Sequence, residues 1–233
     1  MIIASNKKIK FSIFTHIEKC AGMSLCKFFN IHKGNKFNNL EYRHNTIKKD
    51  LTIINQYYKH IKINDILFFT CLRNPWDRMV SFFHYIRELQ IDENYRHWSK
   101  YHEICKKGTF TDFINYASEH TNMISTCRSY KQRLFYKNQL LCDYVINFHK
   151  IEKDIKYIKK IFGIQKNLPR INTSQHKSYK FYYTSKTHEF VSNMFADDIK
   201  YFNFSFDNIA QMKKPLINIK KIKFLQSKNF KIL

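Results

Sequence analysis

The sequence is poor in the two residues that most often interrupt regular structure. Only four of its 233 residues are glycine and three are proline, so each one marks a place where the backbone needs it. No apolar run approaches the roughly 20 residues of a membrane-spanning helix, and Lys7, Lys8 and Lys10 interrupt the segment where a signal-peptide core would lie. With 44% hydrophobic residues, including 22 Phe, the composition nevertheless indicates a globular chain, and its length predicts a single domain over residues 1–233.

Cysteine pairs with metal-ligand spacing are also missing. The six cysteines contain no C-x-x-C pair, which excludes the usual zinc spacings, and a chain of this size has little need of a disulfide framework. We therefore expect no bound metal and a reducing, cytoplasmic environment. The cysteines are Cys20, Cys26, Cys71, Cys105, Cys127 and Cys142.

Acidic residues are scarce, with 18 Asp and Glu against 41 Lys and Arg, which gives a formal net charge of +23. Such an excess indicates either an anionic partner, such as a nucleotide, an acidic glycan, nucleic acid or a membrane surface, or only a lysine-rich solvated surface. Residues 208–233 form a basic tail without any acidic residue. For this tail, a packed C-terminal helix with its lysines in water is favoured over peripheral membrane contact.

Two apolar runs, residues 9–17 and 66–72, read as buried strands, and each ends at a polar segment followed by helical spacing. After the second run, Asn74 is a good helix N-cap, and Pro75 suits the first helical position because its missing N–H is not needed there. Gly163 has the character of a residue that ends a helix. A third strand is expected at residues 144–148, and further helices at 23–30, 46–61, 110–117, 151–162 and 184–195.

Strands that alternate with helices predict an α/β fold, with a three-layer arrangement of a parallel sheet flanked by helices. In such folds ligands bind beyond the carboxyl ends of the strands. The ends of the first two predicted strands are therefore the places to look for function.

The first strand ends in a segment with the features of an anion-binding loop, residues 19–24 (K-C-A-G-M-S). Backbone N–H groups at the start of the following helix can cradle a phosphate, Gly22 permits close approach, and Lys19 and Ser24 add a charge and a hydroxyl. By itself the segment is a weak signal, and an ordinary strand-to-helix turn is the favoured interpretation. It lacks the Gly-Lys-Ser/Thr of a Walker A loop, which argues against a nucleotide kinase.

The second strand ends at Arg73, and Ser81 follows about two turns into the next helix. An arginine fork together with a hydroxyl suits a phosphate dianion. The alternative is structural: Arg73 pairs with Asp77 and Ser81 is a small packing residue.

Taken together, these segments resemble the PAPS-dependent sulfotransferases, in particular the branch with carbohydrate and bacterial members. Residues 14–25 (F-T-H-I-E-K-C-A-G-M-S-L) are similar to the family's 5′-phosphosulfate loop, F-x-H-I-P-K-x-G-G-T-S-L, and residues 69–81 to its 3′-phosphate motif, F-x-F-V-R-N-P-W-D-R-L-V-S. Residues 168–198 resemble its C-terminal pattern of L-P-x-x-N-x-S, paired tyrosines and D-x-x-x-F. Glu18, Met23 and His149 stand where the family usually has Pro, Thr and Glu.

The resemblance implies a P-loop-like nucleotide-binding core and transfer of a sulfuryl group from 3′-phosphoadenosine-5′-phosphosulfate (PAPS), without a metal, to a hydroxyl acceptor such as a glycan or glycolipid. Lys19 would neutralise charge on the leaving nucleotide oxygen, and His44 would be the general base, with His16 as the second candidate. The cofactor-binding residues it implies are Lys19, Cys20, Ala21, Gly22, Met23, Ser24, Leu25, Arg73 and Ser81.

Two other functions stay open at this point. One is a nucleotide-binding relative that has lost turnover. The other is a basic nucleic-acid-binding module, which would explain the positive charge. However, the sequence contains no nucleic-acid-binding motif, and such a module would leave the two strand-end clusters without a role.

Overall fold

The computed structural model of the protein describes residues 2–4, 11–29, 46–57, 62–120, 129–171, 176–212, 218, 220–221 and 223. His44 and residues 172–175, which belong to the resemblance, lie outside these ranges. None of the helices in the described ranges combines the length and apolarity needed to cross a membrane.

A four-stranded sheet lies at the centre, in the order β1-β2-β3-β6. Strands β2 (Phe11–Thr15), β3 (Ile66–Leu72) and β6 (Tyr144–Asn147) are parallel, and β1 (Ile2–Ala4) adds an antiparallel edge beside β2. A separate two-stranded hairpin pairs β4 (Phe135–Tyr136) with β5 (Gln139–Leu140). The parallel sheet predicted from the sequence is thus confirmed, with one antiparallel strand added at its edge.

Strand β3 is buried at all seven positions because helices cover both faces of the sheet. Alternate residues point to opposite faces: Ile66 and Phe68 pack with helix α2 (Ile47–Tyr57), whereas Leu67 and Phe69 belong to the larger core on the other side. The three-layer arrangement follows directly from this alternation.

The remaining helices surround the larger core. They are α1 (Gly22–Phe28), α3 (Pro75–Glu88), α4 (Ser99–Lys107), α5 (Phe110–Glu119), α6 (Tyr130–Leu134), α7 (Ile151–Phe162), α8 (Ser185–Met194) and α9 (Ala196–Phe202). Short 3-10 helices cover Ile63–Asp65, Glu93–Trp98, Phe148–Lys150 and Tyr179–Tyr182.

Several boundaries were predictable from local chemistry. The Asn74 side chain accepts hydrogen bonds from the N–H groups of Trp76 and Asp77, and Pro75 is the first residue of α3. Gly163 ends α7 in the left-handed conformation with φ of 66°. Helices α4, α6 and α9 and the hairpin were not predicted, since their segments have only a weak apolar period.

Part of the basic tail docks at the end of the sheet opposite the carboxyl ends of the strands. Asp143, just before β6, accepts hydrogen bonds from the backbone and side chain of Asn218 and from the ammonium of Lys221 at 2.8 Å. The same ammonium lies 5.3 Å from the centre of the Phe68 ring. These contacts place Asn218 and Lys221 away from the two strand-end loops, whereas the Ala210 carbonyl, earlier in the tail, accepts a hydrogen bond from Asn147 Nδ2 at the carboxyl end of β6 at 3.1 Å.

Candidate functional site

The two predicted strand ends are neighbours in the sheet. Thr15 at the end of β2 pairs with Thr70 near the end of β3, so the loops that follow lie side by side. The guanidinium of Arg73 joins them, because its Nη1 donates a hydrogen bond to the Lys19 carbonyl at 3.2 Å. The structure thus brings Lys19 and Arg73, 54 residues apart in sequence, into one site.

The β2–α1 loop turns sharply through two residues in the left-handed region, Lys19 (φ 62°) and Ala21 (φ 57°). Gly22 follows, and a Cβ atom there would lie 1.6 Å from Nε2 of His16. Glycine is therefore required because the buried imidazole of His16 packs directly against the backbone at this position. His16 supports the loop from within.

The first turn of α1 leaves three backbone N–H groups, those of Gly22, Met23 and Ser24, without an acceptor among the described residues. The next N–H, that of Leu25, already bonds the Ala21 carbonyl at 3.0 Å. Of the loop residues that the resemblance implied, Cys20 and Leu25 bury their side chains in the core. These two can therefore face a ligand only through their backbone.

Ser24 and Met23 differ in what their side chains offer. The buried hydroxyl of Ser24 accepts a hydrogen bond from the Ile171 N–H at 3.1 Å. This bond connects α1 to residues 168–171 (L-P-R-I). Met23 is 39% exposed, so the position where the family usually has threonine presents a thioether to solvent.

Glu18 carries its charge away from the loop surface and into a buried ionic cluster. Its carboxylate contacts Arg78 Nη2 at 3.5 Å and makes a short hydrogen bond with Arg133 Nη2, and the Arg78 Nε donates to the Glu18 carbonyl at 3.1 Å. All three side chains are buried. The charge of Glu18 therefore faces two buried guanidinium groups rather than a ligand at the loop surface.

The β3–α3 loop is organised around Arg73. Its Nε contacts Asp77 Oδ2 at 2.5 Å, its guanidinium lies 4.4 Å from the Phe148 ring centre, and its carbonyl accepts from the Tyr130 hydroxyl at 2.5 Å. Arg73 thus pairs with Asp77, as the structural alternative held. The fork has five donors, however, and Nη2 has no partner among the described residues.

His149 fills the space beside this pair as a neutral ring. Burial, opposed by Asp77 and reinforced by Arg73, lowers its pKa to about 4. Its Nε2 lies 3.4 Å from both Asp77 Oδ2 and the Asn74 N–H, and the uncharged nitrogen can accept from that N–H. His149 therefore fixes the start of α3 without adding charge to the site.

Helix α3 also carries Ser81, which the sequence predicts as a phosphate ligand, and Tyr85, which contacts Lys19. Ser81 is buried, and Tyr85, one turn later, is 38% exposed. The ammonium of Lys19 lies 4.3 Å from the centre of the Tyr85 ring, a cation–π contact that holds the lysine over the carboxyl-terminal half of α3.

The arrangement suits a ligand with more than one anionic group. Of its four cationic side chains, Arg73 pairs with Asp77 and Arg78 and Arg133 pair with Glu18, and the start of α1 adds backbone N–H donors. No cluster of residues that could hold a metal occurs in the part of the chain that the structure describes. The cations are Lys19, Arg73, Arg78 and Arg133.

Sequence reasoning missed the residues that brace the site. Arg78 lies inside the motif quoted above, and its place four residues after the N-cap could have suggested an inward position. Arg133 and Tyr130 come from a segment without a strong period, 115 and 110 residues from their partners Glu18 and Cys20. Only the fold brings them there.

Comparisons with known proteins give matches that extend over most of the chain. A family model described as the sulfotransferase family matches residues 2–205. Among solved structures, mouse sulfotransferase SULT7A1 complexed with PAP is similar over 97% of this chain and 77% of that chain, at 17% identity and a TM-score of 0.32. No curated protein sequence matches the chain significantly.

Proposed function

Since the chain belongs to the sulfotransferase family and is therefore a sulfuryl-transferring enzyme, we propose that its donor is PAPS and its acceptor a carbohydrate hydroxyl. The observation that carries the proposal is the hydrogen bond from Arg73 to the Lys19 carbonyl. It joins two anion-binding loops in one site, and the donor molecule has a phosphate or phosphosulfate group at each end of its ribose.

The donors of the site suit such a molecule. The three N–H groups at the start of α1 and the Lys19 ammonium would hold the 5′-phosphosulfate. The Nη2 of Arg73 and the Ser81 hydroxyl would hold the 3′-phosphate, a charge-assisted contact for which the arginine fork is well shaped. Asp77 would keep the fork in place through Nε.

The donor supplies an activated sulfuryl group that carries one negative charge. Lys19 neutralises the charge that grows on the departing nucleotide oxygen, which lowers the barrier because this charge is largest in the transition state. The acceptor proton must go to a base. His44, which the resemblance implies for this role, lies outside the described residues.

An exposed aromatic ring supports a carbohydrate acceptor. Phe181, next to Tyr182 in the 3-10 helix Tyr179–Tyr182, is 78% exposed. Rings with an open face are suited to stack on the apolar face of a sugar.

The role of Arg73 can be tested by nucleotide discrimination. The Arg73→Ala variant should lose much of the preference for adenosine 3′,5′-bisphosphate over AMP, because the lost contact is charge-assisted and contributes about 1.5–3 kcal/mol. Calorimetry with both nucleotides measures this difference. Equal weakening for the two nucleotides would contradict a 3′-phosphate role.

The role of Lys19 can be separated from binding. In Lys19→Ala, turnover with labelled PAPS should fall far more than the affinity for adenosine 3′,5′-bisphosphate, since the ammonium meets the largest charge in the transition state. Turnover within a few-fold of wild type would show that Lys19 is not the catalytic cation. Nucleotide binding without any transfer in the wild type would indicate a relative that has lost turnover.

A further inference from the structure

A cluster of two histidines and a tyrosine lies against α3, and its members have no role in the site described above. His84 Nε2 lies 2.9 Å from the hydroxyl of Tyr182. The ring of His176 stacks on that of His84, with centroids 5.0 Å apart and planes 12° from parallel. His84 is buried at the edge of the core and Tyr182 is half-buried, so the tyrosine hydroxyl is the more accessible end of the pair.

The register of α3 relates the position of His84 along the helix to that of the residues proposed for transfer. Residues three and four apart share one side of a helix. His84 and Tyr85 therefore lie on the same side of α3 as Ser81, about 4.5–6 Å further along the helix axis. Tyr85 holds the Lys19 ammonium at 4.3 Å. His84 is therefore level with Lys19 along α3, beyond the serine that would hold the 3′-phosphate.

The charge state of His84 suits a proton acceptor. Burial and the neighbouring His176 lower its pKa, with a further lowering from Arg87 and an opposing effect of Glu88 on the same helix. Tyr182 faces it from the 3-10 helix, and α4 approaches α3 two residues further on through His102, whose Nδ1 lies 2.8 Å from the Ile86 carbonyl. At neutral pH the His84 ring is thus uncharged and one nitrogen can accept a hydrogen.

We propose that Tyr182 and His84 form the proton-accepting side of the acceptor site, an inference that rests on the proposed function. The acceptor hydroxyl donates its proton to the Tyr182 oxygen as its own oxygen bonds to sulfur, while the bond from sulfur to the nucleotide oxygen breaks. Tyr182 passes its own proton to His84 Nε2, which becomes an imidazolium. The nucleotide leaves with the electron pair of the broken bond, and His84 later returns the proton to solvent.

In this arrangement Tyr182 is the group that touches the acceptor, and His84 acts through it. The stacked ring of His176 fixes the plane of the His84 imidazole, so that Nε2 stays aimed at the tyrosine hydroxyl. The acceptor hydroxyl thus binds beside α3 and the Tyr179–Tyr182 helix, whereas the nucleotide binds at the two strand-end loops.

The test compares His84→Gln, Tyr182→Phe and the double variant with His102→Gln, which removes a histidine from the neighbouring helix. The probes are labelled PAPS and a pool of desulfated glycosaminoglycan oligosaccharides. Each single change in the pair should reduce transfer about 10²–10⁴-fold, the usual range for a proton-transfer group. The double variant should lose no more than the more affected single variant, because the two groups act as one unit. His102→Gln should transfer at the wild-type rate.

Two readouts distinguish proton transfer from a structural role. Affinity for adenosine 3′,5′-bisphosphate should not change in any of these variants. Wild-type transfer should fall as the pH is lowered through the His84 pKa, measured by NMR titration of its ring protons, because an imidazolium cannot accept a proton. His84→Gln should lack this dependence.

The outcomes separate the inference from the function on which it rests. A wild-type transfer rate in His84→Gln or Tyr182→Phe would overturn the role of the pair in proton transfer. A wild-type pH profile in His84→Gln would do the same. In both cases, transfer by the wild-type protein would still support the proposed function. An absence of transfer by the wild type would overturn both.

Discussion

The two loops that build the candidate site are held in different ways. The β3–α3 loop combines distant contacts with side-chain contacts of its own: Asn74 caps α3, and Arg73 contacts Asp77 four residues away. The β2–α1 loop differs, since α1 has no side-chain cap and the loop contains two non-glycine residues with positive φ. Its shape depends on distant contacts, above all those of Glu18 with Arg78 and Arg133.

This difference shows where each loop is vulnerable. A locally capped loop loses the energy of one cap when its cap is removed. A loop held by a buried ionic cluster loses much more, because removal of one partner leaves uncompensated charges in the interior. Residues with positive φ have an intrinsic cost that the surrounding contacts must offset.

The strongest test of this contrast is Glu18→Ala. The change removes the Glu18 carboxylate while Arg78 and Arg133 stay buried. We therefore expect the free energy of unfolding to fall by about 3–5 kcal/mol. Urea unfolding followed by circular dichroism measures the loss. Glu103→Ala is the matched control, because Glu103 also pairs with two cations, Lys100 and Lys107, but at the surface of α4.

The control should lose less than about 1 kcal/mol, the usual range for exposed ion pairs. Similar losses for Glu18→Ala and Glu103→Ala would show that the β2–α1 loop does not depend on its buried cluster.

A smaller effect is expected from Gly22→Ala. The added methyl group would meet the His16 ring at 1.6 Å, and accommodating it should cost about 1–3 kcal/mol of stability, typical of overpacking in a core. Affinity for adenosine 3′,5′-bisphosphate should fall as well, since the backbone donors of α1 must shift. Both quantities can be measured by thermal shift with and without the nucleotide.

A double-mutant cycle with His16→Ala sharpens this test. In the His16→Ala background the same methyl group meets no ring, so its cost should largely vanish. If Gly22→Ala lowers the stability equally in both backgrounds, the contact with His16 is not the reason that glycine is required.

The smallest effect is expected in the locally capped β3–α3 loop. Asn74→Ala removes the N-cap and the hydrogen bond from Asn74 Nδ2 to the Ser205 carbonyl at 2.8 Å, and should cost about 1–2 kcal/mol. Asn74→Ser keeps a capping oxygen and should recover part of that loss in urea unfolding. A loss as large as that of Glu18→Ala would remove the distinction between the two loops.

Much of the fold could be predicted because its signals are local. The apolar run at residues 66–72 became β3 without any shift of its bounds, and Asn74, Pro75 and Gly163 marked helix ends through their own backbone preferences. The segment from residue 91 to residue 140 was harder. Its helices α4 and α6 and its hairpin are short, and their aromatic side chains pack on elements distant in sequence.

The sequence by itself determined which residue types stand at the ends of the two inner strands, because strands, caps and turns follow from side-chain period and backbone preference over a few residues. Only the tertiary structure decided that Glu18 turns inward to Arg78 and Arg133, that His16 requires Gly22, and that His84 meets Tyr182. Glu18 lies 60 and 115 positions from Arg78 and Arg133, and His84 lies 98 positions from Tyr182. The His16 ring meets the backbone of Gly22 across a turn. No local preference encodes them, since each depends on how helices pack against the completed sheet.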